Sequence, residues 1–201
     1  MRPRKGILIV LEGIDGAGKS TQARLLLRRL AAEGYAAVYF REPTAGRWGR
    51  KIKKLARRSD ALSPEEELEL FLKDREENVR KNLKPALARG KIVILDRYYF
   101  STIAYQGAKG IPPARIKRLN EKFAARPDLV FILDIAPGKG LERIRTRKRK
   151  DLLFEKEDYL KKVRKIFRRF RGRTFVHLDA GRPRAEVHRD IAVRVLSFLH
   201  D

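Results

Sequence analysis

One short segment constrains this chain more than any other: Gly13-Ile14-Asp15-Gly16-Ala17-Gly18-Lys19-Ser20. It has the spacing glycine, four residues, glycine, lysine, hydroxyl. The apolar run "ILIVL" precedes it and a helix-forming stretch follows. Glycines at this spacing let backbone N–H groups turn inward around phosphate oxygens, and the helix start behind them adds partial positive charge. The lysine then reaches the outer phosphates, and the hydroxyl can ligate Mg²⁺. By residue frequencies such a pattern arises by chance in on the order of one chain in a hundred of this length. Here it also stands between a strand and a helix, so the chain must supply a sheet with this turn at its edge.

The rest of the sequence alternates in the same rhythm. Runs at 7–11, 36–40, 92–95, 129–133 and 174–178 are short, apolar and β-rich, and read as buried strands. Helical stretches are expected at 20–33, 48–57, 64–81, 112–125, 138–147, 156–171 and 183–199, with a short one ending at Gly90. Ser63 reads as the N-cap of the 64–81 helix, with Pro64 at its first position and Glu66 three residues after the cap. Strands alternating with helices predict an α/β three-layer sandwich, with a five-stranded parallel sheet covered on both faces. A length of 201 residues suits a single domain over 1–201. Ligands in such sheets sit beyond the carboxyl ends of the strands. The loops after strands one to four are therefore the informative positions.

After strand three stands "DRYYFSTIAYQG". Asp96 at the strand tip is placed to hold Mg²⁺ or its water, and Arg97 to reach an anionic substrate. A salt-bridged strand end is the plainer alternative. Tyr105 and Gln106, at helical spacing from Ser101, suit a substrate pocket or core packing and a cap. After strand two, "REPTAG" (41–46) carries an acid–proline pair, either a rigid pocket wall or a simple turn. Phe71 and Arg75 lie four apart and share a helix face. They could stack on and hydrogen-bond a flat base, or pack in the core. The run "RIRTRKRK" (143–150) interrupts a helix and is followed by Asp151 and Glu155. It reads as a basic lid over about 143–155, or as a solvated charged face.

Composition narrows the classes. No cysteine is present, which excludes a disulfide framework and thiolate metal sites. No apolar run nears the ~18 residues of a membrane span, so a cytoplasmic protein is expected. Lys and Arg number 49 against 25 Asp and Glu, a net charge of +24. Such a field attracts nucleotides and, nonspecifically, nucleic acids. The cations are dispersed along the helices, however, as on a heat-adapted surface. His177, His188 and His200 form no ligand spacing.

Taken together, "EGIDGAGKST", "REP", "LFLKDR", "DRY" with "AYQG", "PDLVFILD", "GLERIR" and "FE" resemble the thymidylate kinase family in content and order, over residues 12 to 155. The resemblance implies transfer of the ATP γ-phosphoryl group to dTMP with Mg²⁺, by a homodimer packed through helices beside the substrate site. ATP would be held by Gly13, Ile14, Asp15, Gly16, Ala17, Gly18, Lys19, Ser20, Thr21 and Arg143, and the metal by Ser20 and Asp96. Asp15 would lie near the acceptor's 3′-hydroxyl and phosphate, with Arg41 and Arg97 on that phosphate. Phe71 would stack on thymine and Arg75 donate to a base carbonyl. Glu42 and Pro43 belong to the acceptor side, Pro43 shaping the base pocket. Ser101 and Gln106 would touch the base, and Tyr105 would crowd the 2′ position. The catalytic set would be Lys19, Asp15, Arg97 and a lid arginine, Arg147 or Arg149.

Four departures stand out. "REPTAG" replaces "REPGGT", Lys73 replaces a small residue, and Leu152 follows the lid aspartate in place of an arginine. Gly16 stands where one branch carries a loop arginine, which points to the lid as the source of that charge. Two other readings compete: a kinase for dUMP or a broader set of monophosphates, and a nucleic-acid-binding P-loop ATPase.

Overall fold

The computed structural model describes residues 6–56, 62–144 and 151–200. Its elements are β1 (Ile7–Glu12), α1 (Lys19–Ala32), β2 (Ala37–Arg41), α2 (Arg47–Leu55), α3 (Pro64–Asn78), α4 (Lys84–Ala88), β3 (Ile92–Asp96), α5 (Tyr99–Ala108), α6 (Pro113–Glu121), β4 (Leu129–Asp134), α7 (Pro137–Ile144), α8 (Asp151–Phe167), β5 (Phe175–Asp179) and α9 (Arg184–His200). The five strands form an all-parallel sheet in the order β2-β3-β1-β4-β5. Central strands β1, β3 and β4 are buried along almost their whole length, which accounts for their unbroken apolar runs. α1 packs with α9, and α5 packs with α6 and α8.

This topology places the site. From β1 the chain crosses to β2 on one side; from β3 it crosses past β1 to β4 on the other. Right-handed crossovers in opposite directions put α1 and α5 on opposite faces. The sheet therefore opens a crevice at the carboxyl ends of the adjacent strands β1 and β3.

Most expected elements form within a few residues of the expected bounds. The cap of α3 is a full capping box: the Glu66 N–H donates to Ser63 Oγ (3.3 Å) and the Ser63 N–H donates to the Glu66 carboxylate (2.8 Å). Such a cap contributes about 1 kcal/mol. α3 continues through a π-helical turn, Val79–Leu83, directly into α4. Pro85 explains the wider turn: it has no N–H for the carbonyl four residues back, and its ring crowds that carbonyl.

Two differences are informative. α5 was not expected as an element. Seven of its ten residues are buried, so it has no polar face and no amphipathic period to read. α8 starts at Asp151, five residues before the expected Lys156. The stretch "DLLFEKE" is mostly Leu, Glu and Lys, which are good helix formers, with Asp at the favourable N-terminal end, and it continues the helix backward.

Candidate active site

A cleft of about 530 Å³ lies over the carboxyl ends of β1 and β3. Residues 15–22, from the loop after β1 and the first turn of α1, line it on one side. Arg41, Arg97, Arg143, Arg182 and Arg184 converge on it from four other segments. Five arginines around one glycine-rich loop at a helix start make a polyanion site, although the Arg182 guanidinium is also bonded to Glu186 and Asp190.

The loop is held tightly. Gly16 has φ 80, and a Cβ there would lie 2.0 Å from the Gly140 carbonyl oxygen of α7. A Cβ on Gly140 would in turn lie 2.7 Å from the Asp15 carbonyl oxygen. Loop and α7 thus meet backbone to backbone, and no side chain fits between them. Lys19 is buried, and its ammonium group donates to the carbonyls of Gly13 (3.0 Å) and Ile14 (2.7 Å). Burial first, and the nearby Arg97 charge second, push its pKa down to about 7. A cation stripped of water in this way gains most when phosphate oxygens arrive.

At the tip of β3, Asp96 is fully buried. The Ser20 hydroxyl donates to its Oδ2, the Tyr39 hydroxyl donates to the same atom at 3.2 Å, and Arg41 Nε lies 3.6 Å away. Asp96 Oδ1 accepts no hydrogen bond among the described residues. A hydroxyl beside a carboxylate with an unused oxygen is a donor set for a hard cation.

Arg97 follows in a turn and bonds to the loop. Its Nη2 donates to Asp15 Oδ1 at 2.6 Å and its Nη1 to Ser101 Oγ at 3.1 Å. The guanidinium also lies 5.3 Å from the centre of the Tyr105 ring. Tyr105 packs edge-on against Tyr159 and Phe167, and burial pushes its hydroxyl up to about 12. Gln106 is buried and donates to Glu67 of α3, while its carbonyl oxygen has no partner among the described residues.

Phe71 and Arg75 share the α3 face as expected, but in different surroundings. Phe71 is half-buried and is not among the side chains packed against the core. Arg75 is almost wholly enclosed. Its Nε donates to Glu42 (2.7 Å), its Nη1 to Asn120 (2.6 Å) and its Nη2 to Thr102 (3.0 Å). Asn78 donates to the other Glu42 oxygen at 3.0 Å. Glu42 thus stands between α3 and the loop after β2, and Pro43 follows it through a cis peptide bond. In "REPTAG", Thr44 fastens this loop to α3: its N–H and hydroxyl both donate to Asp74, at 2.8 and 2.6 Å. Lys73 points away from this network, to Glu69 and the Trp48 ring.

Gly16, Ala17, Gly18, Ser20 and Thr21 line the cleft with Asp15 and Lys19, whereas Ile14 lies buried behind it. Arg143 closes one side, its Nη1 donating to the Ala180 carbonyl at 2.9 Å. Arg147 and Arg149 lie outside the described residues. Arg182 and Arg184 are not among the residues expected from the sequence, since they follow the fifth strand rather than the first four. The string "AGRPR" directly after β5 is the signal that could have found them. The expected residues also omit Glu12, a buried carboxylate at the end of β1.

Comparison with known proteins agrees with this geometry. A family model for thymidylate kinase matches residues 11–191. The chain is 48% identical over 194 residues to a probable thymidylate kinase of Archaeoglobus fulgidus, covering 96% of this chain and 97% of that protein. It is 48% identical over 184 residues to a thymidylate kinase of Akkermansia muciniphila, covering 92% and 88%. It is 50% identical over 162 residues to one from Xanthomonas oryzae, covering 81% and 70%. The phosphate loop, the arginine-lined cleft and these relatives converge, and the chain belongs to the thymidylate kinase family.

Proposed function

We propose that this chain transfers the γ-phosphoryl group of ATP to dTMP, giving dTDP and ADP, with residues 1–201 acting as one kinase domain. The observation that carries the reading is the contact between Asp15 and Arg97. An acid within the donor's phosphate loop is bonded to an arginine of the neighbouring strand's turn, so donor and acceptor sides meet at one place.

Transfer in line requires little covalent chemistry of the protein; positioning and charge neutralisation supply most of the catalysis. Lys19 leaves the Gly13 and Ile14 carbonyls for the β- and γ-phosphate oxygens. Arg97 and Arg41 hold the acceptor phosphate, and Asp15 orients the acceptor sugar. Arg143 borders the donor on the α7 side, and a lid arginine, Arg147 or Arg149, completes the cationic ring. Ser20 and Asp96 fit Mg²⁺, whose charge when bound would neutralise the phosphates. Phe71, free of the core, offers its ring to the base. A guanidinium carries more N–H groups than the three Arg75 uses, so one remains for a base carbonyl. Ser101, Tyr105, Gln106, Glu42 and Pro43 complete the acceptor side in this reading.

Initial rates with dTMP, dUMP, dCMP, dAMP and dGMP test the reading. A thymine methyl in an apolar niche is worth roughly 10-fold or more in kcat/KM. The expected order places dTMP first, dUMP about tenfold lower, and the others lower still. Comparable rates with all of them would defeat the assignment. Among the described residues no helix is long and apolar enough to cross a membrane. We place the enzyme in the cytoplasm as a homodimer in which α3 contributes to the contact. Light scattering at working concentration should give twice the chain mass; a monomer there removes the dimer.

A further inference from the structure

Glu12 ends β1 fully buried, yet no ion pair among the described residues includes it. Its Oε1 accepts the N–H groups of Tyr98 (2.8 Å) and Ser101 (3.0 Å), and its Oε2 accepts the Ser101 hydroxyl (2.5 Å). These donors belong to the start of α5, whose own N-cap residue, Tyr98, supplies no side-chain cap. A carboxylate at a helix start is favourable, but a local serine or aspartate would serve with far less burial. Burial pushes this carboxyl up to about 7. The cap therefore comes from another strand, at a desolvation cost.

What it constrains is the preceding residue, Arg97. Arg97 has φ 69, the sole positive φ of a non-glycine among the described residues. A side-chain-bearing residue holds this conformation only when its surroundings dictate it. They do so from both sides: the Arg97 N–H donates to the Leu11 carbonyl at 3.0 Å, and Glu12 fixes Tyr98 and Ser101 beyond it. The Ser101 hydroxyl has one proton, and it goes to Glu12. Its lone pairs are thereby left for Arg97 Nη1, 3.1 Å away.

We infer that Glu12 is a positioning residue: through Ser101 and the start of α5 it holds Arg97 in its left-handed turn, with the guanidinium aimed at Asp15 and the transfer centre. The inference rests on the reading of Arg97 as a cation of that centre, and the test separates the two.

Glu12→Gln, Ser101→Ala and Arg97→Ala are made singly, and each of the first two is combined with Arg97→Ala. For each protein kcat, both KM values and the melting temperature are measured. Arg97→Ala is expected to lower kcat by about 10²-fold, as for a lost transition-state donor. Glu12→Gln should lower kcat about tenfold with the ATP KM unchanged, the scale of a sub-ångström misplacement. Ser101→Ala, which keeps both backbone donors to Glu12, should act in the same direction and serves if Glu12→Gln folds poorly. In the Arg97→Ala background both further losses should vanish. Multiplying losses in the double variants would overturn the inference, since Glu12 would then act independently of Arg97. A rise in dTMP KM with unchanged kcat for Ser101→Ala would also overturn it, leaving that hydroxyl as a base contact. Full turnover in Arg97→Ala removes the reading of Arg97, and the inference with it.

Discussion

Lys19→Met is expected to lower kcat by about 10³-fold, close to 4 kcal/mol of transition-state stabilisation. The figure follows from where the ammonium group sits. It is enclosed at the base of the phosphate loop and bonded to two carbonyls, with its pKa brought down to about 7 by burial. The ligand-free fold thus gains little from the charge, whereas a triphosphate gains a fully desolvated cation. Methionine keeps an unbranched apolar stem, one atom shorter, without the charge. Its melting temperature without ligand should equal or exceed that of the unaltered chain, while stabilisation by ATP should be lost. A coupled ADP-release assay and a melting series with and without ATP check both halves. Near-full turnover would sink the kinase assignment for this site.

The second large effect concerns stability. Arg75→Ala should destabilise the fold by about 3–5 kcal/mol, as expected when one member of a buried, hydrogen-bonded ion pair is removed. Arg75 and Glu42 are 2% and 3% exposed, and Arg75 joins the loop after β2 to α3, α5 and α6 through three side-chain acceptors. For a chain of this size the melting temperature should fall on the order of 10 °C.

The loss has a pH signature. Burial already raises the Glu42 pKa above 4.5, opposed first by Arg75. Without the guanidinium it rises further. A carboxyl whose folded pKa exceeds its unfolded value contributes stability at pH below the unfolded value and loses it as pH rises through the folded one. The deficit of Arg75→Ala should therefore be smaller near pH 5 than near pH 8. Chemical denaturation at the two pH values measures it; an equal deficit at both would show that the substitution leaves the ionisation of Glu42 unchanged. Assayed well below its transition, the variant also separates roles. An unchanged dTMP KM would make Arg75 a structural residue alone.

These two residues show how far the sequence could be read. Lys19 is legible because its spacing from the glycines states its chemistry, and strand and helix flank it as that chemistry requires. Arg75 is legible only as a position on a helix face. Its near-total enclosure depends on Glu42, Thr102 and Asn120, which come from three distant segments. The Ser63 cap is local, and it forms as read. α5 is the opposite case: once every face is buried, periodicity vanishes, and a helix looks like an apolar loop. Glu12 was hidden for a related reason. A lone acid beside a glycine loop looks like part of the motif, and its partners lie some 90 residues away. Arg182 and Arg184 carry no local spacing that states their place: it is the topology that turns the carboxyl end of the fifth strand toward the same crevice as the first.

Where Gly16 and Gly140 touch, there is also a consequence for descent. In this chain the seating of α7 directly on the loop excludes a side chain, and so a cation, at position 16. An arginine introduced at position 16 alone meets the Gly140 carbonyl at 2.0 Å with its first side-chain atom. Moving α7 alone leaves the loop without its neighbour and gains no charge. A loop cation in this chain therefore requires the loop and α7 to change together. The choice of which segment carries the cation is a strongly epistatic one, guarded by two hydrogen-sized side chains.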